Sequence, residues 1–354
     1  MTDTKKSKLS LIIDGNWLLM SRLSVLNNRY ADEYELIQEL KLLMIKSMRS
    51  VLRTFPSIDN IIFIADGGSW RNKIEIPACL HHDSNGDTVE YKGTRTKSDD
   101  FNWDLLFASY EEFMALLGST GITVCRENGL EGDDWCYHWS KVLNEDGTNV
   151  IIWTKDKDLT QLVKMDKNKC FTVWYNKDNG LYVSDTQEDD INWFFNTEYN
   201  ANEKIFTEIC DKCPKITKVN PSAVIMEKII KGDRSDNILP VAMRKYSSDK
   251  RYKISAKDID WNLDYNDKDA VRNYFTRLFE NKNYKGKTVC TLDEAIEHFN
   301  YNKRLVALED SSFPEYVKDI FKKHLTYNVS SNISIAESRL QAGNNKLEDI
   351  LDFV

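Results

Sequence analysis

Short apolar runs that alternate with helical patterns are the feature that most restricts what this chain can fold into. Between the runs, apolar residues recur at helical spacing over Tyr34–Phe55, over Asp104–Leu117 and from about Glu131. Strands that alternate with helices pair in parallel, and the helices then cover both faces of the sheet. The chain therefore predicts an α/β fold with a mostly parallel central sheet flanked by helices. The four runs are Leu9–Ile13, Asn60–Ala65, Ile122–Cys125 and Val150–Trp153.

The second half of the chain has a different pattern. The runs Cys170–Tyr175 and Gly180–Val183 flank the turn-forming residues Asn176–Asn179, which predicts a hairpin at the edge of the sheet. From about Pro221 the apolar spacing is largely helical, so we expect a smaller helical region that packs beside the sheet. Its predicted helices are Ser222–Ile230, Lys268–Phe279, Leu292–Val306 and Pro314–Leu325.

These patterns divide the chain into three parts. We expect an α/β core over residues 1–220, with a region of about 70–104 inside it that includes a long exposed loop or a marginal helix. Residues 221–340 form the expected helical region. A polar linker from Ala342 leads to an acidic, apolar tail, which makes residues 341–354 the third part.

Composition excludes several classes of protein. The chain has 48 basic and 56 acidic residues and a net charge of −8, so bulk positive charge cannot hold it to nucleic acid as in a histone. No apolar run approaches the roughly 18 residues that span a bilayer, and the first residues lack the apolar region of a signal peptide. Seven irregularly spaced cysteines indicate a reducing compartment, and the pair Cys210 and Cys213 lacks the second pair of a zinc ribbon. We expect a soluble, cytoplasmic protein without a membrane partner or a zinc site.

Acidic residues follow the predicted strands. Asp14, Asp66 and Asp156 stand at the carboxyl ends of three strands, where open α/β sheets bind their ligands. One aspartate at such a place has a simpler explanation as a turn former or a helix cap. Several at the same edge favour a shared cluster. The further candidates are Glu131, Asp133, Asp134, Asp158, Asp233 and Asp236.

Such a concentration of carboxylates predicts a metal centre. The charges would repel one another strongly unless cations were bound. Oxygen ligands without histidine select hard ions, so we expect Mg²⁺, with Mn²⁺ as a substitute. Two such ions about 4 Å apart suit the hydrolysis of phosphodiester bonds. The sequence therefore indicates a two-metal enzyme that acts on phosphodiesters.

Basic groups that could contact a phosphate backbone occur in two stretches. In the first, aromatic residues and cations are interleaved: Trp70 and Arg71, then Tyr91, Lys92, Arg95 and Lys97. The second runs from Arg244 to Lys257 and includes Lys245, Arg251 and Lys253. A charge run is often only a solvated surface, and on composition alone that interpretation stays open.

Five sequence blocks resemble one family, the structure-specific 5′ nucleases of the flap endonuclease type, and within it the phage enzymes that act as ribonuclease H. The blocks follow the family's order and approximate spacing over residues 8–240. They are Leu11–Asn16, Phe63–Asp66, Leu130–Asp134, Thr154–Leu162 and Lys231–Ile238. Each block is weakly specific alone, and together they are strongly specific.

The resemblance implies both an activity and a division of the carboxylates. The implied activity is that of a Mg²⁺-dependent 5′-to-3′ exonuclease and 5′-flap endonuclease with ribonuclease H activity, which removes RNA primers and flaps during DNA replication. Four residues would ligate a first ion directly or through water: Asp14, Asp66, Asp133 and Asp156. Five would support a second ion or orient its waters: Glu131, Asp134, Asp158, Asp233 and Asp236.

The resemblance also assigns roles to the basic stretches. Arg71, Lys92 and Arg95 match the family's basic groups at an arch over the 5′ strand, and Arg71 and Lys92 would assist the chemistry. The helix that ends near Lys231 resembles the first part of a helix-hairpin-helix variant that binds duplex DNA. The residues after Ile238 are not glycine-rich, unlike typical members, which shifts duplex binding toward Arg244–Lys257.

Three other functions agree less well with the sequence. An aspartyl-phosphate phosphatase needs a second aspartate two residues after the first, and Asn16 occupies that position. A small single-strand nuclease of the PIN type is disfavoured by the Gly232–Asn237 loop and the helical second half. A catalytically inactive, structure-specific DNA-binding protein of the same fold is disfavoured by the complete carboxylate set.

The expected partners follow from the resemblance. They are DNA and RNA–DNA duplexes with 5′ flaps or ends, bound by a monomer, in the host cytoplasm if the chain is encoded by a phage. The tail Leu347–Val354 weakly resembles the apolar peptides that replication proteins insert into a sliding clamp. A sliding clamp or a single-strand-binding protein is therefore a candidate protein partner.

Overall fold

The computed structural model describes residues 8–26, 32–80, 90–95, 102–165, 170–185, 201–247, 250–285, 290–329 and 332–351. The chain separates into two compact units that alternate along the sequence. The first unit consists of Met1–Gly68, Ser98–Val219 and Asp319–Val354, and the second of Ser69–Lys97 and Asn220–Lys318. The three-part division proposed above is linear, whereas these units are each assembled from separate stretches of chain.

A mostly parallel sheet forms the centre of the first unit, which confirms the predicted fold class. The order of its strands is β3-β2-β1-β4-β6-β7-β8, and β5 pairs with β6 in addition. Neighbouring strands are parallel except for the pairs β5/β6 and β6/β7. The strands are β1 (Lys8–Asp14), β2 (Asn60–Ile64), β3 (Thr123–Cys125), β4 (Thr148–Trp153), β5 (Lys164–Met165), β6 (Phe171–Asn176), β7 (Gly180–Ser184) and β8 (Ile216–Val219).

The predicted hairpin is present as β6 and β7, but it is not at the edge of the sheet. A further strand, β8, pairs in parallel with β7 and covers it. The strand β8 was not predicted. Its residues Ile216–Val219 are alternately exposed and half-buried, so they do not form a continuous apolar run.

Helices cover both faces of the sheet. They are α1 (Gly15–Leu26), α2 (Glu33–Thr54), α3 (Trp103–Ser119), α4 (Gly132–Glu145) and α5 (Ala201–Asp211). On one face, alternate strand residues such as Leu11, Phe63 and Ile151 share a core with α1, α2, α3 and α5. On the other face α4 contacts β1, β2, β4 and β6. Residues of both parities along β1 and β4 are buried, as parallel strands covered on two sides require.

Glycine makes possible the sharp corner from β1 into α1. A Cβ atom on Gly15 would lie 2.5 Å from the carbonyl oxygen of Ile64 and 2.5 Å from the Phe63 ring. Real side chains do not approach this closely, so only glycine lets the chain turn against β2 here. The corner brings the end of β1 next to the end of β2, where Asp14 and Asp66 stand.

The second unit contains three helices and a pair of antiparallel strands. These are α6 (Pro221–Lys231), β9 (Ala242–Ser247), β10 (Lys250–Lys253), α7 (Lys268–Glu280) and α8 (Leu292–Val306). All three helices agree with the predicted ones to within one residue at each end. The strand pair was not predicted, because its segment was expected to belong to a largely helical region.

Two helices follow. They are α9 (Glu315–Lys323), at which the two units divide, and α10 (Ile333–Leu351), which packs against α2. The prediction of a polar linker from Ala342 is wrong, because the helix continues through that position. Asp352–Val354, the end of the predicted tail, lies outside the described residues. Among the described helices, none combines the length and the apolar character needed to cross a bilayer.

Candidate metal centre

The end of β1 places Asp14 at the sheet edge with both carboxylate oxygens in use. Oδ1 accepts the backbone N–H of Trp17, at 2.9 Å, in the first turn of α1. Oδ2 accepts the hydroxyl of Thr154, at 2.8 Å, from the segment that follows β4. The carboxylate is therefore oriented by the two elements that flank it.

Asp66, just beyond β2, forms four hydrogen bonds with three other residues. Its Oδ2 accepts a hydrogen bond from Asn16 Nδ2 at 2.7 Å, and its Oδ1 accepts the N–H of Gly132 at 2.5 Å. Its own N–H donates to Asn16 Oδ1, and its carbonyl oxygen accepts Arg126 Nε at 2.8 Å. Because Gly132 is the first residue of α4, the carboxylate lies at a helix amino terminus, where the helix dipole favours negative charge.

Three acidic residues stand at the start of α4: Glu131 at the N-cap, and Asp133 and Asp134 in the first turn. Glu131 and Asp134 form a reciprocal capping box, and Oδ2 of Asp134 accepts the N–H of Glu131 at 2.9 Å. Both side chains are buried, and Asp134 is 0% exposed. Asp133 is half-buried. The capping box fixes the direction in which this turn leaves the sheet edge.

The segment after β4 brings two more carboxylates to the first unit's sheet edge. Asp156 Oδ1 accepts the N–H of Asp158 at 2.8 Å, and Asp156 itself caps the short 3₁₀ helix Lys157–Leu162. The N–H of Asp156 donates to Thr154 Oγ1 at 2.9 Å. Since the same hydroxyl donates to Asp14, Thr154 links the ends of β1 and β4.

Two buried groups of the first unit, Asp14 and Cys136, feel the charges of several of these carboxylates. The pKa of Asp14 is raised to about 7, and burial is the largest cause; the charges of Asp66 and Asp156 also raise it, whereas the hydrogen bonds from Trp17 and Thr154 lower it. The buried Cys136 thiol, on α4, also has a raised pKa. Burial is again the largest cause, and the carboxylates that add to it are Asp14, Asp133, Asp156 and Asp66.

These observations test whether the residues fit a metal. The donors that converge are oxygen atoms, which hard divalent ions prefer. A buried carboxylate that lies near other negative charges is stabilised by a nearby cation. The donor set of the first unit therefore fits Mg²⁺ or Mn²⁺.

The second unit holds the two remaining predicted carboxylates on the loop after α6. Gly232 has φ of +69°, and a Cβ there would lie 2.2 Å from the carbonyl oxygen of Ile238, so glycine is needed for the turn. Burial alone would raise the pKa of Asp233, but Lys228 and Ser235 donate hydrogen bonds to it and hold its pKa at about 2. Asp236 forms an ion pair with Arg95 at 2.5 Å.

The predicted basic residues of the second unit lie in a turn, at a buried position and on a strand pair. Lys92 and Arg95 belong to a turn, where Lys92 Nζ lies 4.9 Å from the centre of the Tyr91 ring. Arg71 is 3% exposed, and its Nε donates to the carbonyl oxygen of Leu305. Its guanidinium also lies over the Trp70 ring, and its predicted contact with a phosphate stays a prediction.

Four of the other predicted basic residues lie on the strand pair of the second unit. Arg244 and Lys245 lie on β9, and Arg251 and Lys253 on β10, so their backbones form one antiparallel pair. Lys97 lies outside the described residues.

Sequence reasoning missed the uncharged residues and the arginine that hold the carboxylates. Asn16 and Thr154 lie inside the blocks that resemble the nuclease family, so their positions were visible but their roles were not. Tyr110, whose hydroxyl lies 3.4 Å from Asn16 Oδ1, and Arg126 come from α3 and the end of β3. Nothing in the local sequence marks these two, because their partners are distant along the chain.

Comparison with known proteins adds a family and two relatives. Residues 10–190 match the family described as 5′-3′ exonuclease, N-terminal resolvase-like domain. A 5′-3′ exonuclease of Buchnera aphidicola subsp. Acyrthosiphon pisum is 26% identical over 144 residues, which are 40% of this chain and 43% of the relative. A 5′-3′ exonuclease of Mycoplasma pneumoniae is 28% identical over 149 residues, which are 42% of this chain and 41% of that relative. The matches thus span less than half the length of either relative.

Two solved structures share the fold at low sequence identity. The T5 D15 protein co-crystallised with metal ions has a TM-score of 0.52 and 16% identity, and the match covers 90% of this chain and 98% of that one. T5 5′-exonuclease with bound zinc has a TM-score of 0.51 and 18% identity, with coverage of 93% and 100%. At this level of identity the likeness concerns the fold.

Proposed function

Because this chain belongs to the family of 5′-3′ exonucleases with an N-terminal resolvase-like domain, we propose that it is a metal-dependent 5′-to-3′ exonuclease and 5′-flap endonuclease. Its proposed role is to remove RNA primers, by ribonuclease H activity, and flaps during DNA replication. One observation carries the proposal: hydrogen bonds tie together the segments of the first unit that hold the carboxylates. Thr154 links Asp14 to Asp156, and Asp66 is bound by Asn16 and by the N–H of Gly132, which precedes Asp133 in the first turn of α4.

We assign two Mg²⁺ ions, replaceable by Mn²⁺, to the carboxylates. Asp14, Asp66, Asp133 and Asp156 are the proposed ligands of the first ion. The metal binding of the T5 proteins that share this fold supports the assignment. Bound ions of this kind supply an activated water and neutralise charge at the scissile phosphate. The proposed supports of the second ion are Glu131, Asp134, Asp158, Asp233 and Asp236.

The chain's own residues orient these ligands and the substrate. Asn16, Arg126 and the amino terminus of α4 fix Asp66, so its carboxylate loses little freedom when an ion binds. Tyr91, Lys92 and Arg95 are the proposed contacts to the 5′ strand. The strand pair β9–β10, with Arg244, Lys245, Arg251 and Lys253, is the proposed contact to the duplex backbone.

The proposed partners are therefore DNA and RNA–DNA duplexes that carry 5′ flaps or ends. A sliding clamp that takes the carboxyl-terminal tail is a further proposed partner. A pull-down with a clamp from the same source tests it, and equal retention of the full chain and of a chain that ends at Asn345 would exclude it.

Product mapping tests the proposed function directly. The substrates are a labelled 5′ flap and an RNA-primed duplex, each incubated with Mg²⁺ or with EDTA. We expect cleavage near the flap junction and release of 5′ ribonucleotides, both only with Mg²⁺. Asp156→Asn should slow both reactions at least about 100-fold. Asp178→Asn, in the exposed turn between β6 and β7, is the matched control and should cleave like the wild type.

The second candidate, a catalytically inactive binding protein, makes the opposite prediction. It requires that the wild type binds the flap but produces no fragments at any Mg²⁺ or Mn²⁺ concentration. That result, or full activity of Asp156→Asn, would overturn the proposal.

A further inference from the structure

Two residues of the second unit have a backbone conformation that side chains disfavour. Lys92 has φ of +56° and Asn237 has φ of +58°, and they are the non-glycine residues with positive φ in the part of the chain that the structure describes. Asparagine tolerates the left-handed region better than most residues, whereas lysine does not. Such conformations persist where surrounding contacts determine them.

Both residues lie where two segments of the second unit meet. The first segment is the turn Glu90–Arg95, and the second is the loop Gly232–Ile238. The N–H of Lys92 donates to the carbonyl oxygen of Asp236 at 2.8 Å. In the other direction, Nδ2 of Asn237 donates to the carbonyl oxygen of Glu90 at 2.9 Å. Each left-handed residue therefore donates a hydrogen bond to the opposite segment.

Side chains strengthen the same junction around Asp236. Its carboxylate pairs with Arg95 Nη2 at 2.5 Å and lies 3.4 Å from the Tyr91 hydroxyl, which donates to it. The Asp236 side chain is 16% exposed and Tyr91 is buried, whereas the Arg95 side chain is 57% exposed, so the Asp236 end of this ion pair is the shielded one. The turn thus holds both the backbone and the carboxylate of Asp236.

The loop itself is closed at its base. Asp233 and Ile238 exchange two backbone hydrogen bonds, at 2.9 Å and 2.7 Å, as a single antiparallel bridge. Within this closed loop the left-handed backbone of Asn237 directs its side-chain amide toward Glu90. It also leaves the carbonyl oxygen of Asp236 in position to accept the N–H of Lys92. A residue without the amide, or one that avoids positive φ, would lose one or both of these bonds.

We propose that Asn237 is a positioning residue of this nuclease: it locks the Glu90–Arg95 turn to the Gly232–Ile238 loop, so that Lys92 and the carboxylate of Asp236 are presented by one rigid unit. This inference rests on the proposed function for the roles of Lys92 and Asp236, but the lock itself depends only on the contacts above. Asn237 acts through these two residues and does not touch the substrate.

Three variants separate two properties of Asn237, the side-chain amide that donates to Glu90 and the backbone with positive φ. Asn237→Gly keeps access to positive φ and removes the amide donor. Asn237→Asp keeps a residue that tolerates positive φ and replaces the donor by an acceptor that faces the Glu90 carbonyl oxygen. Asn237→Ala removes the donor and disfavours the conformation as well. Asn283→Gly, at an exposed turn position of the second unit, is the matched control.

Hydrogen exchange of the amides in residues 90–95 measures the lock without any catalysis. We expect exchange of these amides to rise at least fivefold in Asn237→Gly and Asn237→Asp and more in Asn237→Ala. The control should exchange like the wild type. The thermal midpoint of Asn237→Gly should stay close to that of the wild type, because the core of the unit is untouched.

Single-turnover cleavage of a 5′ flap over a range of enzyme concentrations measures the effect on catalysis. We expect the maximal rate to fall about tenfold in Asn237→Gly while the enzyme concentration that gives half of this rate changes less than twofold, a split that a loss of stability alone would not give. Unchanged exchange in all three variants overturns the lock. Raised exchange with a wild-type cleavage rate overturns the positioning role.

Failure of the proposed function gives a different result. In that case the wild type cleaves neither the flap nor the RNA-primed duplex. The positioning role then falls with it, and the exchange measurement alone decides whether the lock between the turn and the loop exists.

Discussion

Thr154 shows how one uncharged residue organises two carboxylates. Its side chain is 0% exposed, and its hydroxyl donates to Asp14 and accepts the N–H of Asp156. A buried hydroxyl with both functions satisfied holds its partners at fixed positions relative to each other. The ends of β1 and β4 therefore keep their spacing without an additional charge.

Replacing Thr154 by valine should expose this role. The two side chains have nearly the same volume, but valine leaves the Asp14 oxygen and the Asp156 N–H without their partner. We expect the free energy of unfolding to fall by about 1–3 kcal/mol, and flap cleavage to slow by about 10-fold to 100-fold. Urea denaturation and single-turnover cleavage measure the two effects. Thr154→Ser keeps the hydroxyl and should behave nearly as the wild type, and equal losses in both variants would contradict this account.

The limits of sequence reasoning at the residue scale follow from the same geometry. Asp14, Asp66 and Asp156 could be predicted, because an acidic residue directly after a buried strand lies at the sheet edge whatever the helices do. Tyr110 and Arg126 could not, since their partners are more than 50 residues away and meet them only after the sheet has formed. The burial of Arg71 was equally invisible, because a cation beside an aromatic residue fits a surface as well as a core.

At the scale of elements, the corner between β1 and α1 sets the position of the whole site. Asp14 ends the strand, Gly15 begins the helix, and Asn16 turns back to Asp66. The close approach of Gly15 to the backbone of β2 keeps the two strand ends together. Any side chain at this position has to move β2 or the helix.

A pair of glycine substitutions tests this corner. Gly15→Ala places a Cβ 2.5 Å from the Ile64 carbonyl oxygen, so we expect a loss of at least about 2 kcal/mol in the free energy of unfolding. Gly118→Ala, inside α3, meets no atom within 4 Å and should stabilise the chain by about 0.5–1 kcal/mol. Thermal and urea denaturation of both variants provide the measurement. Similar stabilities for the two would show that the corner is not tightly packed.

Elements with a strong apolar period were predictable, and elements without one were not. The α8 helix was predicted at Leu292–Val306, its observed bounds, because its apolar spacing is regular. In the structure a capping box formed by Thr291 and Glu294 begins the helix. The strand β8 and the pair β9–β10 lack a continuous apolar run in the sequence, and each pairs with a neighbouring strand that supplies its hydrogen bonds. Tertiary pairing of this kind leaves little trace in the local sequence.

At the scale of the whole molecule, the net charge of −8 now has a partial explanation. Carboxylates that are collected at one sheet edge repel one another when no cation is present. Burial is the largest cause of the raised pKa of Asp14, and the charges of Asp66 and Asp156 add to it. The folded chain without metal carries this repulsion as a cost to stability. A divalent ion that binds the folded state removes the repulsion and stabilises the fold by mass action.

Because of this cost, we expect Asp156→Asn at pH 8 to be more stable than the wild type without metal and to gain less stability from Mg²⁺. Loss of one negative charge should raise the thermal midpoint of the metal-free first unit by about 2–4 °C, which corresponds to roughly 1 kcal/mol. In the wild type, Mg²⁺ at ten times its dissociation constant should add about 1.4 kcal/mol, or about 3–5 °C. The variant should show less than half of this increase.

Calorimetry in EDTA and in Mg²⁺ at constant ionic strength measures both shifts. Glu145→Gln is the control, because it removes a negative charge from the opposite end of α4, where the side chain is exposed. Its Mg²⁺ response should equal that of the wild type, because Glu145 lies away from the proposed metal ligands. If Mg²⁺ acted only by general screening of the chain's charge, the response would fall equally in Glu145→Gln and Asp156→Asn. A lower metal-free midpoint in Asp156→Asn together with an undiminished Mg²⁺ response would show that Asp156 neither repels its neighbours nor binds the ion.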